Sequence, residues 1–374
     1  MAPIENKIGQ PADPTTPRPN RLVGLAVTLV MIGLLLALAE GGVRLRQWWI
    51  YGTSVHMETI VRYQPELNLH VPVAGLTTAS LHINSLGFRS PELIHPKPPG
   101  TLRLAFLGGS TTFCQEVKND EATWPHLVWQ GLRQENSAPP MDYLNAGVMG
   151  FSAKGSWVQF KKRIRALQPD VVFIYHGSND LTMEARALAR KQELFRKPFE
   201  HGWLANHSLL WYLIEKNLQL QAASRVERHI SLADPEFGQG FARDLTELIR
   251  EAQSVARLVV VITVSQQPRP EHSPEVNRQA AASARYYMPF LSLEGLLEGV
   301  ERLNGVIRQV AGQTGALLIE GEKRIPGDPE HFVDAIHFTT AGSRVMAERV
   351  LTGLRNTPRW QRFLPEFSRA GSGS

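Results

Sequence analysis

From residue 102 to residue 354 the chain alternates short apolar runs with longer amphipathic stretches, and this alternation restricts the fold more than any other feature. The runs LRLAFL (102–107), MDYLN (141–145), VVFIYH (171–176), LVVVITV (258–264) and ALLIE (316–320) have strand length and end at turn-forming residues. Helical periodicity fills the intervals at about 121–135, 154–167, 240–256, 294–313 and 339–354. Strand alternating with helix predicts a five-stranded, mostly parallel sheet covered on both faces. Ligands of such open sheets bind beyond the carboxyl ends of the strands, so the residues just after each run are the ones to inspect.

The rest of the chain divides around this unit. Residues 1–21 are polar and proline-rich and are expected to be a disordered leader. Residues 22–39, LVGLAVTLVMIGLLLALA, carry no charge and as a helix span about 27 Å, close to the hydrocarbon thickness of a bilayer. Ala37-Leu38-Ala39 resembles a signal-peptide cleavage site. The long leader, and the cluster Trp48, Trp49 and Tyr51 suited to a membrane interface, favour an uncleaved anchor. Lys7, Arg18 and Arg21 before the span, against Arg44 and Arg46 after it, slightly favour a main domain outside the cytoplasm, periplasmic or extracellular. Residues 40–100 read as a β-rich or irregular entry segment, and 101–357 as the unit that holds the alternating strands and helices. Within it, 181–239 exceeds a normal connection and is expected to be a helical insert. Trp203, Trp211, Tyr212, Tyr286 and Tyr287, in the insert and the 265–293 segment, either pack internally or line a sugar or acyl pocket. Residues 358–374 are expected to be a flexible tail.

Composition excludes several function classes. The hydrophobic fraction of 43% suits a globular core. The net charge of +5 comes without a dense basic run, which argues against nucleic-acid binding. Twelve histidines form no metal-binding pattern, and Gly108-Gly109 lacks the remaining glycines or lysine of a phosphate or flavin loop, so no metal or cofactor is expected. The single cysteine, Cys114, forms no intrachain disulfide and is expected to pack on the inner face of the helix after residue 109.

Three turns and one late loop carry the chemistry. Ser110 ends the first apolar run in Gly108-Gly109-Ser110 and is the candidate nucleophile; taken alone, it reads equally well as a helix N-cap. A serine hydroxyl needs a base, and the base needs a group to hold its tautomer. His337 and Asp334 are the candidates, on a loop just ahead of a helix. Asp328 and His331 have the same spacing but enclose Pro329, and no helix follows them directly. Gly147, after the second run, and Asn179, after the third, offer donors for a developing oxyanion together with the Ser110 N–H.

The segments FLGGST, NAGVMG, HGSND and DAIHFTTAG resemble, in order and spacing, the four blocks of the SGNH hydrolases, also called the GDSL-like esterase and lipase family. The resemblance covers about residues 101–355. It implies a three-layer α/β/α, flavodoxin-like fold, Ser110 as nucleophile, His337 as base, Asp334 as its partner, and Ser110, Gly147 and Asn179 as the oxyanion hole. The family's Gly-Asp-Ser reads Gly108-Gly109-Ser110 here. The layout, with INSLGFR ahead of the serine block, also resembles membrane-anchored bacterial members. The expected function is a serine ester hydrolase acting outside the cytoplasm through an acyl-enzyme, without cofactor, on an O-acyl ester, for example that of an O-acetyl polysaccharide or a lipid. An O-acyltransferase using the same residues and an inactive glycan-binding module are the alternatives.

Overall fold

A computed structural model of the chain describes residues 21–51, 60–136, 138–195, 202–224, 226 and 228–371. In chain order the elements are α1 (Arg21–Tyr51), β1 (Val61–Gln64), β2 (Leu69–Pro72), β3 (Leu102–Gly108), α2 (Ser110–Phe113), α3 (Trp124–Arg133), β4 (Met141–Asn145), α4 (Ala153–Gln159) and β5 (Val171–Tyr175). There follow α5 (Ser178–Lys191), α6 (Trp203–His207), α7 (Leu209–Ser224), α8 (Gln239–Gln253), β6 (Leu258–Ile262), α9 (Pro274–Ala280) and α10 (Ala282–Tyr287). The chain ends with α11 (Leu293–Thr314), β7 (Leu317–Ile319), α12 (Thr340–Arg355) and α13 (Pro358–Gly371).

Strands β3 to β7 form one parallel sheet in the order β4-β3-β5-β6-β7. Numbered from β3 this is 2-1-3-4-5, the flavodoxin-like order. Helices α3 and α12 pack together on one face, while α4, α8 and α11 pack on the other. Each apolar run of the sequence has become a strand because both faces of the sheet are covered: every residue of β3, β5 and β6 is buried. At the centre Phe106 and Phe173 stack with ring centroids 4.6 Å apart. Arg103, the second residue of buried β3, is tolerated because its guanidinium grips Asp142 at 2.9 and 2.7 Å and also donates to the Leu167 and Ile94 carbonyls.

Three expectations need adjustment. The N-terminal helix does not stop near residue 39 but runs from Arg21 to Tyr51, taking in the start of the expected entry segment. It is exposed along 21–39 and is long and apolar enough to cross a bilayer, so it is not a core helix of the domain. The described remainder of the entry segment agrees with its β-rich or irregular reading: it holds the antiparallel pair β1–β2, the isolated bridge Thr77–His82 and turns. The first residues of the expected insert belong to α5, which packs against α8 and α11; α6 and α7 make up its middle. The tail expected to be flexible is helix α13 as far as Gly371, because Trp360, Leu364 and Phe367 share one face and are buried. The leader 1–20, and residues 52–59, 196–201 and 372–374, lie outside the described residues.

Candidate active site

The nucleophile turn is built by backbone crowding. β3 ends at Gly108, and the single turn α2 begins at Ser110, with the Thr112 and Phe113 N–H groups bonded back to the Gly109 carbonyl at 3.1 and 3.0 Å. The Ser110 N–H, in the first turn, has no intrahelical acceptor. Gly109 is crowded: a Cβ there would stand 2.7 Å from Asn179 Nδ2 and 3.2 Å from the Phe151 carbonyl, so a side chain at 109 pushes on the Asn179 amide. An aspartate at 109 would therefore displace the Asn179 amide, and glycine is what lets that amide lie on the turn.

Ser110 is 8% exposed, and its Oγ lies 2.7 Å from His337 Nε2. His337 Nδ1 lies 2.8 Å from Asp334 Oδ2, while Asp334 Oδ1 accepts the N–H groups of Ile336 at 3.0 Å and His337 at 2.9 Å. Burial works to raise the Asp334 carboxyl, but His337 and these N–H donors outweigh it and hold it at about 2. A carboxylate only accepts, so the proton on the ring belongs at Nδ1, and the Nε2 lone pair faces the Ser110 hydroxyl. Burial of His337 works to lower its pKa; the charge and hydrogen bond of Asp334, then Glu116, outweigh it, and the net shift is upward despite Lys216.

The loop is held on both sides. The Val333 N–H donates to the His337 carbonyl at 2.8 Å, and α12 starts at a Thr339 cap that accepts from the Gly342 N–H at 3.1 Å. Asp328 and His331 make the same local clip, Nδ1 to Oδ1 at 2.8 Å, but it is His337 that reaches Ser110. Cys114 is buried, with its thiol pushed up by burial to about 11 and its Sγ 3.6 Å from the Thr111 carbonyl. It packs in the core, though as the left-handed residue that ends α2 and not on the face of that helix, and it carries no nucleophilic thiolate. His176, at the end of β5, is also no base: burial holds it near 3, and its Nε2 is bonded to Ser156 Oγ at 2.8 Å.

The two other expected donors stand differently. Asn179 is the second residue of α5; its amide donates one hydrogen to the Phe151 carbonyl at 2.9 Å, and the NH₂ carries a second. Gly147 packs so tightly on α2 that a Cβ would be 2.4 Å from the Phe113 nitrogen, but its N–H is taken by Asn145 Oδ1 at 3.1 Å. Asn145 in turn donates to the Thr112 carbonyl at 2.9 Å, tying the end of β4 to α2.

Arg89, Asn145 and Asp180 were not singled out as site residues from the sequence. The buried Arg89 holds the carbonyls that end α2, and Asp180 Oδ1 accepts the Ala153 N–H at 2.8 Å, beside the Phe151 loop. INSLGFR and NAGV mark the stretches that carry the first two, yet their roles exist only across the fold. A cleft of about 10 Å³ lies against Gly109, Ser110, Phe151 and Asn179. A cavity of about 700 Å³ lies beyond, lined by Glu116, Lys216 and Val333 among others. Of the aromatic residues noted in the sequence, Tyr212 and Tyr287 line this cavity; Trp203 stacks on His207 at 4.6 Å, and Trp211 donates to Glu215 at 2.7 Å. Among the described residues no His, Cys, Asp and Glu side chains cluster as a metal site.

The profile of the GDSL-like lipase/acylhydrolase family matches residues 106–345. No curated protein matches the chain. Among solved structures, an acetylxylan esterase from Geobacillus stearothermophilus is similar at 15% identity and a TM-score of 0.41, over 67% of this chain and 93% of the esterase. A lipolytic protein of the G-D-S-L family from Desulfitobacterium hafniense DCB-2 is similar at 12% identity and a TM-score of 0.39, over 67% of this chain and 98% of that protein.

Proposed function

Because the chain belongs to the GDSL-like lipase/acylhydrolase family and is a carboxylic ester hydrolase, we propose that it works through an acyl-enzyme on Ser110. The observation that carries this reading is the unbroken path from Ser110 Oγ through His337 at 2.7 Å to Asp334 at 2.8 Å. Ser110 Oγ attacks the ester carbonyl as its proton passes to His337 Nε2. The imidazolium is stabilised by Asp334, and the oxyanion takes hydrogen bonds from the Ser110 N–H and the second Asn179 amide hydrogen. The Gly147 N–H, shared with Asn145 Oδ1, is the third donor. His337 then protonates the leaving alcohol, and water, activated by the same imidazole, releases the acid.

Helix α1 anchors the enzyme in a membrane, with the hydrolase domain outside the cytoplasm. The uncharged span 22–39 supports the first statement and the flanking charges the second. The substrate class is an O-acyl ester accessible on that side.

The test is release of p-nitrophenol from p-nitrophenyl acetate by wild type and by Ser110→Ala. The variant is expected to lose on the order of 10⁴- to 10⁶-fold in kcat while keeping its melting temperature. Near-normal turnover by a folded Ser110→Ala would end the acyl-enzyme reading.

A further inference from the structure

Two spaces lie near the site, one lined by Ser110 and the other by Phe113, Glu116 and Val333 on the elements that carry Ser110 and His337, and they differ greatly in size. The cleft against Ser110, Gly109 and Asn179 holds about 10 Å³, about the room of one water. The second space, about 700 Å³, lies within the range of roughly 300–1,000 Å³ that small-molecule sites occupy. It is on the histidine's side: Glu116 and Lys216 line it and their charges bear on His337, and Val333, also in its wall, donates to the His337 carbonyl. In acyl transfer the histidine returns its proton to the leaving oxygen, so the leaving alcohol lies on that side. The small cleft then has room for no more than the methyl end of a short acyl group, and the large cavity has room for the alcohol.

The far wall of the large cavity is the anchor helix. Val43, Arg46 and Gln47 of α1 line it opposite Leu209 and Leu213 of α7. The two helices are bonded at that point, because the Glu40 carboxylate accepts from Ser208 Oγ and from the Leu209 and Leu210 N–H groups at 2.9, 3.0 and 2.9 Å. Val43 is four positions past Ala39, so the cavity opens about 6 Å beyond the apolar span. Trp48, Trp49, Trp211 and Leu218 lie exposed on these same helices, and Trp203 is exposed on the neighbouring α6. Tryptophans flanking an apolar span sit at the bilayer interface. Arg46 and Lys118, both exposed and lining the cavity, face the anionic headgroups of such a surface.

We propose that the substrate is a bilayer-resident amphiphilic alcohol carrying a short acyl ester, and that the last turns of α1 form one wall of the site that receives it. The inference rests on the reading of Ser110 as nucleophile. In the reaction the Ser110 Oγ–acyl bond forms, the acyl–oxygen bond to the amphiphile breaks, and His337 delivers its proton to the departing alcohol. Water then takes the short acyl group as the free acid. The anchor is thus part of the binding machinery and not a tether alone.

The experiment uses the full chain in vesicles of phosphatidylglycerol and phosphatidylethanolamine, with acetate release from hexadecyl acetate in the vesicles and from ethyl acetate in solution. Wild type is expected to favour hexadecyl acetate by about tenfold or more in kcat/KM, since the groove buries methylenes of the alcohol. It is also expected to hydrolyse p-nitrophenyl acetate about tenfold or more faster than p-nitrophenyl octanoate, whose acyl chain has no room in the small cleft. Val43→Trp and Leu213→Trp, which fill the groove from its two walls, are each expected to lower the hexadecyl-to-ethyl ratio about fivefold or more. A wild-type ratio of one or less, a preference for octanoate, or a ratio unmoved by both substitutions overturns the inference. The first two outcomes need no variant to fold. If Ser110→Ala abolishes acetate hydrolysis while wild type is indifferent to the alcohol, only this inference falls. If Ser110→Ala still hydrolyses the acetates, or wild type hydrolyses no ester, the proposed function falls and takes the inference with it.

Discussion

Arg89 Nη1 donates to the Cys114 carbonyl at 2.6 Å and so ties the entry segment to the end of the turn that carries Ser110. The same guanidinium donates to the carbonyls of Phe113, Ser80 and Val117 and to Asp120 Oδ1. Arg89 is itself delivered by the turn at Asn84, whose side chain accepts from the Leu86 and Phe88 N–H groups at 3.0 and 2.9 Å. Substituting Arg89→Met leaves buried carbonyls and Asp120 Oδ1 without their donor, while Asp120 Oδ2 keeps the His82 N–H. The expected loss is about 3–5 kcal/mol of stability. Denaturant midpoints of wild type and variant measure it. A loss below about 1 kcal/mol would mean that the clamp is not structural.

The activity should fall in acid with a midpoint above the ordinary histidine value. His337 accepts the Ser110 proton only when Nε2 is bare, and its pKa is raised from 6.5 because Asp334 and Glu116 outweigh burial and Lys216. The acid limb of kcat/KM for p-nitrophenyl acetate is therefore expected above pH 6.5, with full activity on the alkaline side. In Asp334→Asn the main raising influence is gone and burial remains, so the limb moves downward while kcat falls about 10⁴-fold. A limb that stays in place would detach Asp334 from His337. The stability linkage has opposite signs for the two partners. The raised His337 stabilises the fold below pH 6.5 and loses this as pH rises through its folded value. Asp334, lowered from 3.8 to about 2, stabilises above pH 3.8 and loses this as pH falls toward 2.

Much of this arrangement is legible in the sequence because it is local. The buried runs of β3, β5 and β6 are apolar nearly end to end, and an aspartate three residues before a histidine makes its own clip. That clip also shows the limit: Asp328–His331 and Asp334–His337 close with the same 2.8 Å contact. Which of them meets Ser110 depends on how α12 packs on the sheet. Arg89 and Glu40 are opaque for the same reason, since a charged residue in an irregular segment or at the end of an apolar helix looks solvated until its partners arrive from elsewhere in the chain. Helix α13 was missed because its apolar positions are few and a glycine–serine end follows them.

Asn179 lies against Gly109, and each constrains the other. Asn179→Ala removes the amide that serves the oxyanion, and kcat is expected to fall about 10²- to 10³-fold with KM little changed. Gly109→Asp restores the family's Gly-Asp-Ser but puts a Cβ 2.7 Å from Asn179 Nδ2. It is expected to lower kcat about 10- to 100-fold by displacing that amide. Steady-state kinetics of both variants decide the point. A Gly109→Asp enzyme faster than wild type would show that the turn has room the contact distance denies.

Glu40 holds the start of α7 from the end of the apolar helix, so the anchor and the hydrolase domain are expected to move as one body there. Its carboxylate accepts the Leu209 and Leu210 N–H groups, and Arg44 braces it at 2.6 Å while donating to the His207 carbonyl at 3.3 Å. A negative charge at a helix N-terminus is stabilising, and such a cap is worth about 0.5–2 kcal/mol. In Glu40→Ala, the Leu209 and Leu210 amides of the full chain in vesicles should exchange with deuterium about tenfold faster, in line with that energy. The amides of β3 and β5, deep in the sheet, should keep their wild-type protection. Unchanged exchange at 209 and 210 would mean that α1 does not dock on α7 in the bilayer, and the wall that Val43 and Gln47 give to the large cavity would then have no fixed place.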